Sequence, residues 1–238
     1  MKIAYINPNS TEGMTAGIIA TARKAATGAE IIGLTNASAP AAIQGKADGD
    51  AAIPGLLDLL PAAREQGADV IVIACFDDTG LAEARARAGC PVLGIGQSSF
   101  VMAQLMGWRF SVITSLAVSI PVIEENVRQQ GFSGFCASVR ASGLPVLTID
   151  EGGPDVLERL SDEIDAAARD DAAACAILGC AGMAQIEPEL AARARIPLIE
   201  GVAASARLSM VLAGRQRRGG GEHGPGRAIQ WAAIVAAI

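Results

Sequence analysis

The amino-acid sequence predicts an α/β protein made of two similar halves, each containing a parallel sheet. Three observations support this fold class. Short apolar segments alternate with longer helical segments, the alternation occurs twice, and 238 residues that are 51% hydrophobic are enough to bury a large core. Alternating strands and helices are typical of parallel sheets joined by right-handed crossovers.

The first half of the chain contains the clearest run of predicted elements. Its strands are short apolar runs bounded by glycine, proline or polar residues, and the segments between them have the length of helices. The predicted strands cover residues 2–7, 30–34, 70–75 and 91–95. The predicted helices cover residues 13–27, 53–66 and 81–88.

Similar strands recur in the second half of the chain, each nearly the same distance from its counterpart. The matching strands end at Asn7 and Thr114, end at Cys75 and Cys180, and begin at Pro91 and Pro197. We therefore predict two Rossmann-like halves with parallel sheets, related by pseudo-two-fold symmetry. The active site is expected in the cleft between them, because ligands bind outside the carboxyl ends of parallel strands.

The predicted domain boundaries follow from this duplication. Residues 1–97 together with 206–238 form the first half, and residues 98–205 form the second. A single continuous doubly wound sheet is the alternative. After Gly214 the chain is rich in glycine and arginine and is predicted to be a flexible linker, followed by a short apolar run.

Composition argues against several classes of protein. The formal net charge of −6 is unlike the basic footprint of a nucleic-acid-binding protein. No apolar run approaches the roughly 18 residues of a membrane span, and the N-terminal segment lacks a signal-peptide layout. Five cysteines then indicate free thiols in a reducing cytoplasm. We expect no membrane or nucleic-acid partner.

Cys75 and Cys180 are the candidate catalytic residues, because each closes a buried strand at the edge of the predicted cleft. Two thiols on opposite sides of a carbon could remove a proton from one face and deliver one to the other. This chemistry needs no metal or cofactor. A zinc site is disfavoured, since there is no Cys-x-x-Cys spacing and the single histidine, His223, lies in the tail. The remaining cysteines are interpreted as small buried hydrophobes: Cys90, Cys136 and Cys175.

Polar and backbone groups next to these strand ends are the candidate substrate-binding groups. They are Asn7, Ser10, Phe76, Thr114, Ser115, Ala181 and Gly182. A helix follows Cys75, with Asp78 or Thr79 as its N-cap, and helix N-termini lower the pKa of a thiol. A nearby carboxylate would oppose thiolate formation unless Asp77 or Asp78 accepts the thiol proton. The N–H groups after Cys180 could face a developing oxyanion.

Four segments together resemble the aspartate/glutamate/hydantoin racemase family, and most closely its hydantoin and allantoin racemase branch. These are residues 6–11, 74–81, 110–114 and 178–183, and the resemblance extends from Met1 to about Gly214. It implies an isomerase with a cofactor-independent mechanism, in which Cys75 and Cys180 act as the two bases. It also implies a small-molecule substrate, and we expect a homo-oligomer.

Several substrates remain open within this resemblance. Glutamate racemases of the family carry Cys-Thr-His where this chain has Cys180-Ala181-Gly182, so an auxiliary acid/base is missing. This favours 5-substituted hydantoins, whose ring proton is acidified by an adjacent carbonyl. Allantoin and an amino acid of the aspartate or glutamate type are the alternatives.

Two departures from the family leave the substituent open. Relatives often carry arginine within residues 116–121 and an aromatic pair at Lys46-Ala47. The second departure falls in the loop 38–50, where a substituent pocket is expected. A two-lobed small-molecule-binding protein is the non-enzyme alternative, but such a protein would not need a thiol at both strand ends.

Overall fold

The computed structural model describes the backbone of residues 1–216 and the side chains of residues 1–212. The strands are β1 Lys2–Asn7, β2 Glu30–Thr35, β3 Val70–Ile73, β4 Val92–Gly94, β5 Phe110–Thr114, β6 Cys136–Ala141, β7 Cys175–Leu178 and β8 Leu198–Glu200. The helices are α1 Glu12–Ala25, α2 Lys46–Asp58, α3 Leu60–Glu65, α4 Leu81–Arg87, α5 Ile95–Leu105, α6 Ile120–Gln129, α7 Val146–Glu151, α8 Pro154–Asp170, α9 Glu187–Ala191 and α10 Gly201–Gln216. None of these helices is long and apolar enough to cross a membrane.

The strands form two four-stranded sheets with the same order, β2-β1-β3-β4 and β6-β5-β7-β8. Every pair of neighbouring strands is parallel. The central strands β3 and β7 are buried along their whole length, as expected when helices cover both faces of a parallel sheet. The two-half fold predicted from the repeated pattern is confirmed, and the single-sheet alternative is wrong.

Some elements differ from the sequence-based prediction. The helix expected at 53–66 begins earlier and is divided into α2 and α3. β6 was not predicted because it is a half-buried edge strand in which Ser138 and Arg140 interrupt the apolar residues. Cys75 and Cys180 do not end their strands but lie two residues beyond β3 and β7.

The end of the chain was predicted to be a linker from Gly214 onwards. The last helix, α10, instead continues to Gln216, past the point where the linker was expected to begin. The rest of the predicted linker and the apolar run at 231–238 lie outside the described residues.

Helices and aromatic side chains connect the two halves. α10 packs on α1 and α5 and also contacts β3, β4 and β8. The Tyr5 hydroxyl on β1 donates to the Val202 carbonyl at 3.1 Å. Phe100 on α5 stacks on Phe110 of β5 and meets Phe76 edge-on, at ring-centroid distances of 5.4 and 5.8 Å. These contacts join the segment after β3 to β5 in the other half.

Candidate active site

One cleft receives residues from both halves of the molecule. Both candidate catalytic thiols line the cleft. The lining residues are Asn9, Met14, Ile43, Ala74, Cys75, Phe76, Asp77, Thr114, Ser115, Ser119, Val146, Gly179, Cys180 and Ala181.

The backbone takes the same course after each thiol. The N–H of Asp78 donates to the Cys75 carbonyl at 3.0 Å, and the N–H of Met183 donates to the Cys180 carbonyl at 3.1 Å. Each bond closes a tight turn that begins at the cysteine. In both turns the N–H group two residues beyond the cysteine, from Asp77 or Gly182, is directed to the sulfur.

Burial has the largest effect on the pKa of both thiols. It raises the pKa of Cys75 well above the usual range, and the charge of Asp77 raises it further. The Thr79 hydroxyl opposes this effect by donating to the Cys75 sulfur at 3.6 Å. Burial raises the pKa of Cys180 to about 12, although the N–H groups of Gly182 and Met183 lower it. Both thiols are therefore protonated at neutral pH, and the lowering expected from a helix N-terminus does not prevail.

Asp78 has a structural role. Its carboxylate accepts the N–H groups of Gly96 at 3.0 Å and Gln97 at 2.8 Å, at the start of α5. The side chain of Gln130 donates to it at 3.2 Å. A Cβ at Gly94 would overlap this carboxylate, so glycine is needed there. The prediction that Asp78 or Thr79 caps the following helix is wrong, because Gly80 occupies the N-cap of α4.

Asp77 lines the cleft together with the two thiols. Burial and the charge of Asp78 raise the pKa of Asp77 to about 7. Its negative charge raises the pKa of both Cys75 and Cys180, which line the same cleft. Asn126 of α6 donates to the backbone carbonyl of Asp77 at 2.6 Å and so connects this turn to the second half.

The predicted substrate-binding residues divide into two groups. The first group lines the cleft and consists of Phe76, Thr114, Ser115 and Ala181. The second group supports the cleft from behind. Asn7 is buried and donates to the Asn9 side chain at 2.8 Å, so that Asn9 is the residue on the cleft. The N–H of Ser10 donates to the Pro40 carbonyl at 3.0 Å, and the N–H of Gly182 is directed to the Cys180 sulfur.

Six residues with side chains on the cleft were not among the predicted site residues: Asn9, Met14, Ile43, Ala74, Ser119 and Val146. Ile43 belongs to the loop where a substituent pocket was expected, which was the available signal. The adjacent Gln44 accepts the N–H of Val146 at 3.0 Å through its side-chain oxygen, joining this loop to α7 across the cleft. Ser119 lies within residues 116–121, one of the two segments noted from the sequence as departures.

The other cysteines do not line this cleft. Cys175 is buried, while Cys90 and Cys136 are half-buried, and all are free thiols. Within the described residues, no three histidine, cysteine or acidic side chains are grouped as a metal site would require.

The fold and the two-thiol cleft define a member of a racemase family. The family model for Asp/Glu/hydantoin racemase matches residues 3–209, and the chain belongs to this family. It is 40% identical to the hydantoin racemase of Rhizobium meliloti over 215 residues, which cover 90% of this chain and 89% of that protein. It is 35% identical to the hydantoin racemase of Pseudomonas sp. (strain NS671) over 210 residues, covering 88% and 84%.

A solved structure agrees with these relatives. The allantoin racemase from Klebsiella pneumoniae superimposes with a TM-score of 0.86 at 35% identity, covering 91% of this chain and 89% of that one. The protein is accordingly an isomerase, a racemase that acts on a small molecule.

Proposed function

We propose that this racemase acts on 5-substituted hydantoins with apolar substituents, through a two-base transfer between Cys75 and Cys180. One observation carries the proposal: the two halves each contribute one thiol, at the same position after equivalent strands, to a single small cleft.

The reaction follows from thiols on opposite sides of the ring. A thiolate removes the proton from C5, so that an S–H bond forms as the C–H bond breaks. The electron pair is delocalised onto the adjacent ring carbonyl. The opposite thiol then gives its proton to the other face of C5 and is left as the thiolate. The inverted product leaves the two cysteines with exchanged roles, ready for the opposite enantiomer.

Polar groups on one part of the cleft wall suit a cyclic ureide. Hydroxyl groups at Thr114, Ser115 and Ser119 and the amide of Asn9 can pair with ring carbonyl and N–H groups. The remaining predicted binding residues, Asn7, Ser10 and Gly182, are proposed to act through the loops that they hold. No lysine, arginine or histidine is among the described lining residues, so the carboxylate of a free amino acid would lack a cationic partner.

Apolar side chains that also line the cleft favour an apolar substituent. Met14, Ile43 and Val146 would meet it, whereas the ureido group of allantoin would leave polar atoms unpaired there. Allantoin is the second candidate substrate, because the solved structure that resembles this chain at 35% identity is an allantoin racemase.

Polarimetry on a substrate panel tests this proposal. L-5-benzylhydantoin, (R)-allantoin and L-glutamate are incubated with the purified protein, and a Cys75→Ser/Cys180→Ser variant is the control. We expect the optical rotation of the benzylhydantoin to decay fastest, with no decay in the control. Faster decay of allantoin or glutamate would contradict the proposed substrate.

We further propose a cytoplasmic homo-oligomer without nucleic-acid or membrane partners, whose halves comprise residues 1–97 plus 206–238 and residues 98–205. The free cysteines suit a reducing compartment. Exposed apolar side chains at the end of α5 and on α10, at Leu105, Met106 and Val211, suit contact with a second copy. α10 contains residues 201–216, and its packing on α1 supports placing residues 206–216 in the first half. Light scattering during size-exclusion chromatography would contradict the oligomer if the mass were that of one chain.

A further inference from the structure

The cleft presents an electrostatic problem for a thiolate mechanism. Asp77 is the one carboxylate among the described lining residues, and no cation lines the cleft with it. Ionising a thiol while Asp77 stays charged would place two negative charges in a buried space without a counter-ion. Like charges at short range in a poorly solvated site repel strongly. Transfer of the thiol proton to Asp77 leaves only one charge.

Asp77 is free to accept that proton, unlike its neighbour. The carboxylate of Asp78 receives three hydrogen bonds, from Gly96, Gln97 and Gln130. In the described part of the chain, the one side chain that hydrogen-bonds Asp77 is Asn126, which donates to its backbone carbonyl rather than to the carboxylate. Asp77 is only 9% exposed and acts electrostatically on both sulfurs.

We propose that Asp77, Cys75 and Cys180 share two protons, and that Asp77 holds the proton of whichever thiol is ionised. In the transfer, the S–H bond breaks and an O–H bond forms on Asp77, so the total charge of the three groups stays at minus one. The reactive state is thus a neutral Asp77 with one thiolate and one thiol. Asp77 is a positioning residue that acts through the thiols, and this inference rests on the proposed two-thiol function.

Among the described residues, the charged groups around Asp77 do not neutralise its carboxylate. Asp78 lies next to Asp77, and the charge of Asp150 of α7 acts on Cys180. Arg85 of α4 acts on Asp78 rather than on Asp77. On the far side of Asp77 is a groove, and the ammonium group of Lys46 in it is paired with Asp50 at 2.6 Å. The other charged residues of this groove are Glu83, Arg85 and Glu125.

The shared-proton state makes a defined prediction about pH. Thiolate formation by transfer to Asp77 does not depend on pH once Asp77 is ionised, so kcat/KM should rise to about pH 7 and then stay level to about pH 8.5. In Asp77→Asn the thiol must lose its proton to water. Its kcat/KM should match the unmodified protein near about pH 6, keep rising about tenfold per pH unit, and be about tenfold higher at about pH 8.

Measurement of kcat/KM across this pH range tests the prediction, with Asp150→Asn as the matched control. The control removes a charge that acts on Cys180 without lining the cleft, so it should keep the level region above about pH 7. Two results would overturn the proposal: a continued tenfold rise per pH unit in the unmodified protein, or lower activity of Asp77→Asn at every pH.

A second readout does not depend on the substrate. Iodoacetamide alkylation of Cys75 and Cys180, followed by peptide mass spectrometry on the full chain, reports the thiolate population directly. The alkylation rate should be level above about pH 7 in the unmodified protein and should rise with pH in Asp77→Asn. The same pH dependence in both proteins would overturn the role of Asp77, even if the proposed substrate were wrong.

Discussion

The segment that follows Cys75 and the segment that follows Cys180 share a backbone plan. Each cysteine lies two residues beyond a buried strand, and its carbonyl accepts the N–H three residues further on. The groups that lower the pKa of the two thiols differ. The Thr79 hydroxyl and the Asp77 N–H act on Cys75, whereas the backbone N–H groups of Gly182 and Met183 act on Cys180.

The position of the two thiols and their acidity depend on different parts of the structure. The duplicated fold places the two thiols equivalently, and burial and the charge of Asp77 raise the pKa of both. The groups that oppose this rise differ, because a side-chain hydroxyl acts on Cys75 and only backbone N–H groups act on Cys180. The proposed mechanism needs two thiols that exchange roles, so similar sites with different local donors are sufficient.

The largest expected effect is on the turn after Cys75. Asp78→Ala removes the acceptor for two N–H groups at the start of α5 and leaves them buried, which should lower the free energy of unfolding by about 3 kcal/mol. Urea denaturation measures this change, with Glu83→Ala on the exposed side of α4 as the control. Equal stability of the two variants would show that Asp78 does not hold the turn.

Asp77→Asn should have the opposite effect on stability. The pKa of Asp77 is raised from 3.8 to about 7 in the folded protein, so its folded form binds the proton more tightly. The resulting stabilisation is present below about pH 4 and is lost as the pH rises to about 7. The variant avoids that loss. Its free energy of unfolding should therefore exceed that of the unmodified protein by about 2 kcal/mol at about pH 8, but not at about pH 4. Thermal unfolding at both pH values checks this, and a variant less stable at the higher pH would contradict it.

A smaller effect is expected at Thr79. Thr79→Val keeps the shape of the side chain but removes the hydroxyl that donates to the Cys75 sulfur at 3.6 Å. The pKa of Cys75 should rise, and its alkylation at about pH 8 should slow by roughly fivefold, in line with one weak hydrogen bond. Cys180 in the same sample is the internal control. An equal change at both cysteines would show that the hydroxyl does not act locally.

The smallest effect is expected in the segment after Cys180. A Cβ added in Gly182→Ala would lie 3.3 Å from the backbone of Asp150, so the short helix Ala181–Ala184 must shift slightly. Its N–H groups would then move relative to the Cys180 sulfur, and kcat should fall by about threefold. Steady-state kinetics measure the change. An unchanged kcat would mean that these N–H groups contribute little to the thiolate.

The sequence was sufficient to predict the two halves, and it singled out two cysteines that line one cleft, because β3 and β7 are continuous apolar runs closely followed by cysteine. It could not distinguish Asp77 from Asp78, since only the folded chain brings α5 to one of them. β6 was missed because its polar side chains are paired within the fold. Ser138 and Arg140 both donate to Asp171, at 2.6 and 3.1 Å.

The residues that line the cleft show the same limit of prediction from sequence. Ile43 and Val146 come from different halves and meet only through tertiary packing, so no local pattern marks them. Asn9 lines the cleft while Asn7 holds it in place, although both belong to one short polar segment. Local sequence therefore identified the segment but not the residue that faces the substrate.

Deuterium incorporation by the single cysteine variants tests the two-base account most directly. Cys75→Ser and Cys180→Ser are each incubated in deuterated water with the separate enantiomers of 5-benzylhydantoin, and both isotope content and rotation are followed. We predict that each variant loses racemisation by at least about a thousandfold. Any exchange that remains should occur with one enantiomer in Cys75→Ser and with the other in Cys180→Ser. Full racemisation by either variant, or exchange of the same enantiomer by both, would contradict the account.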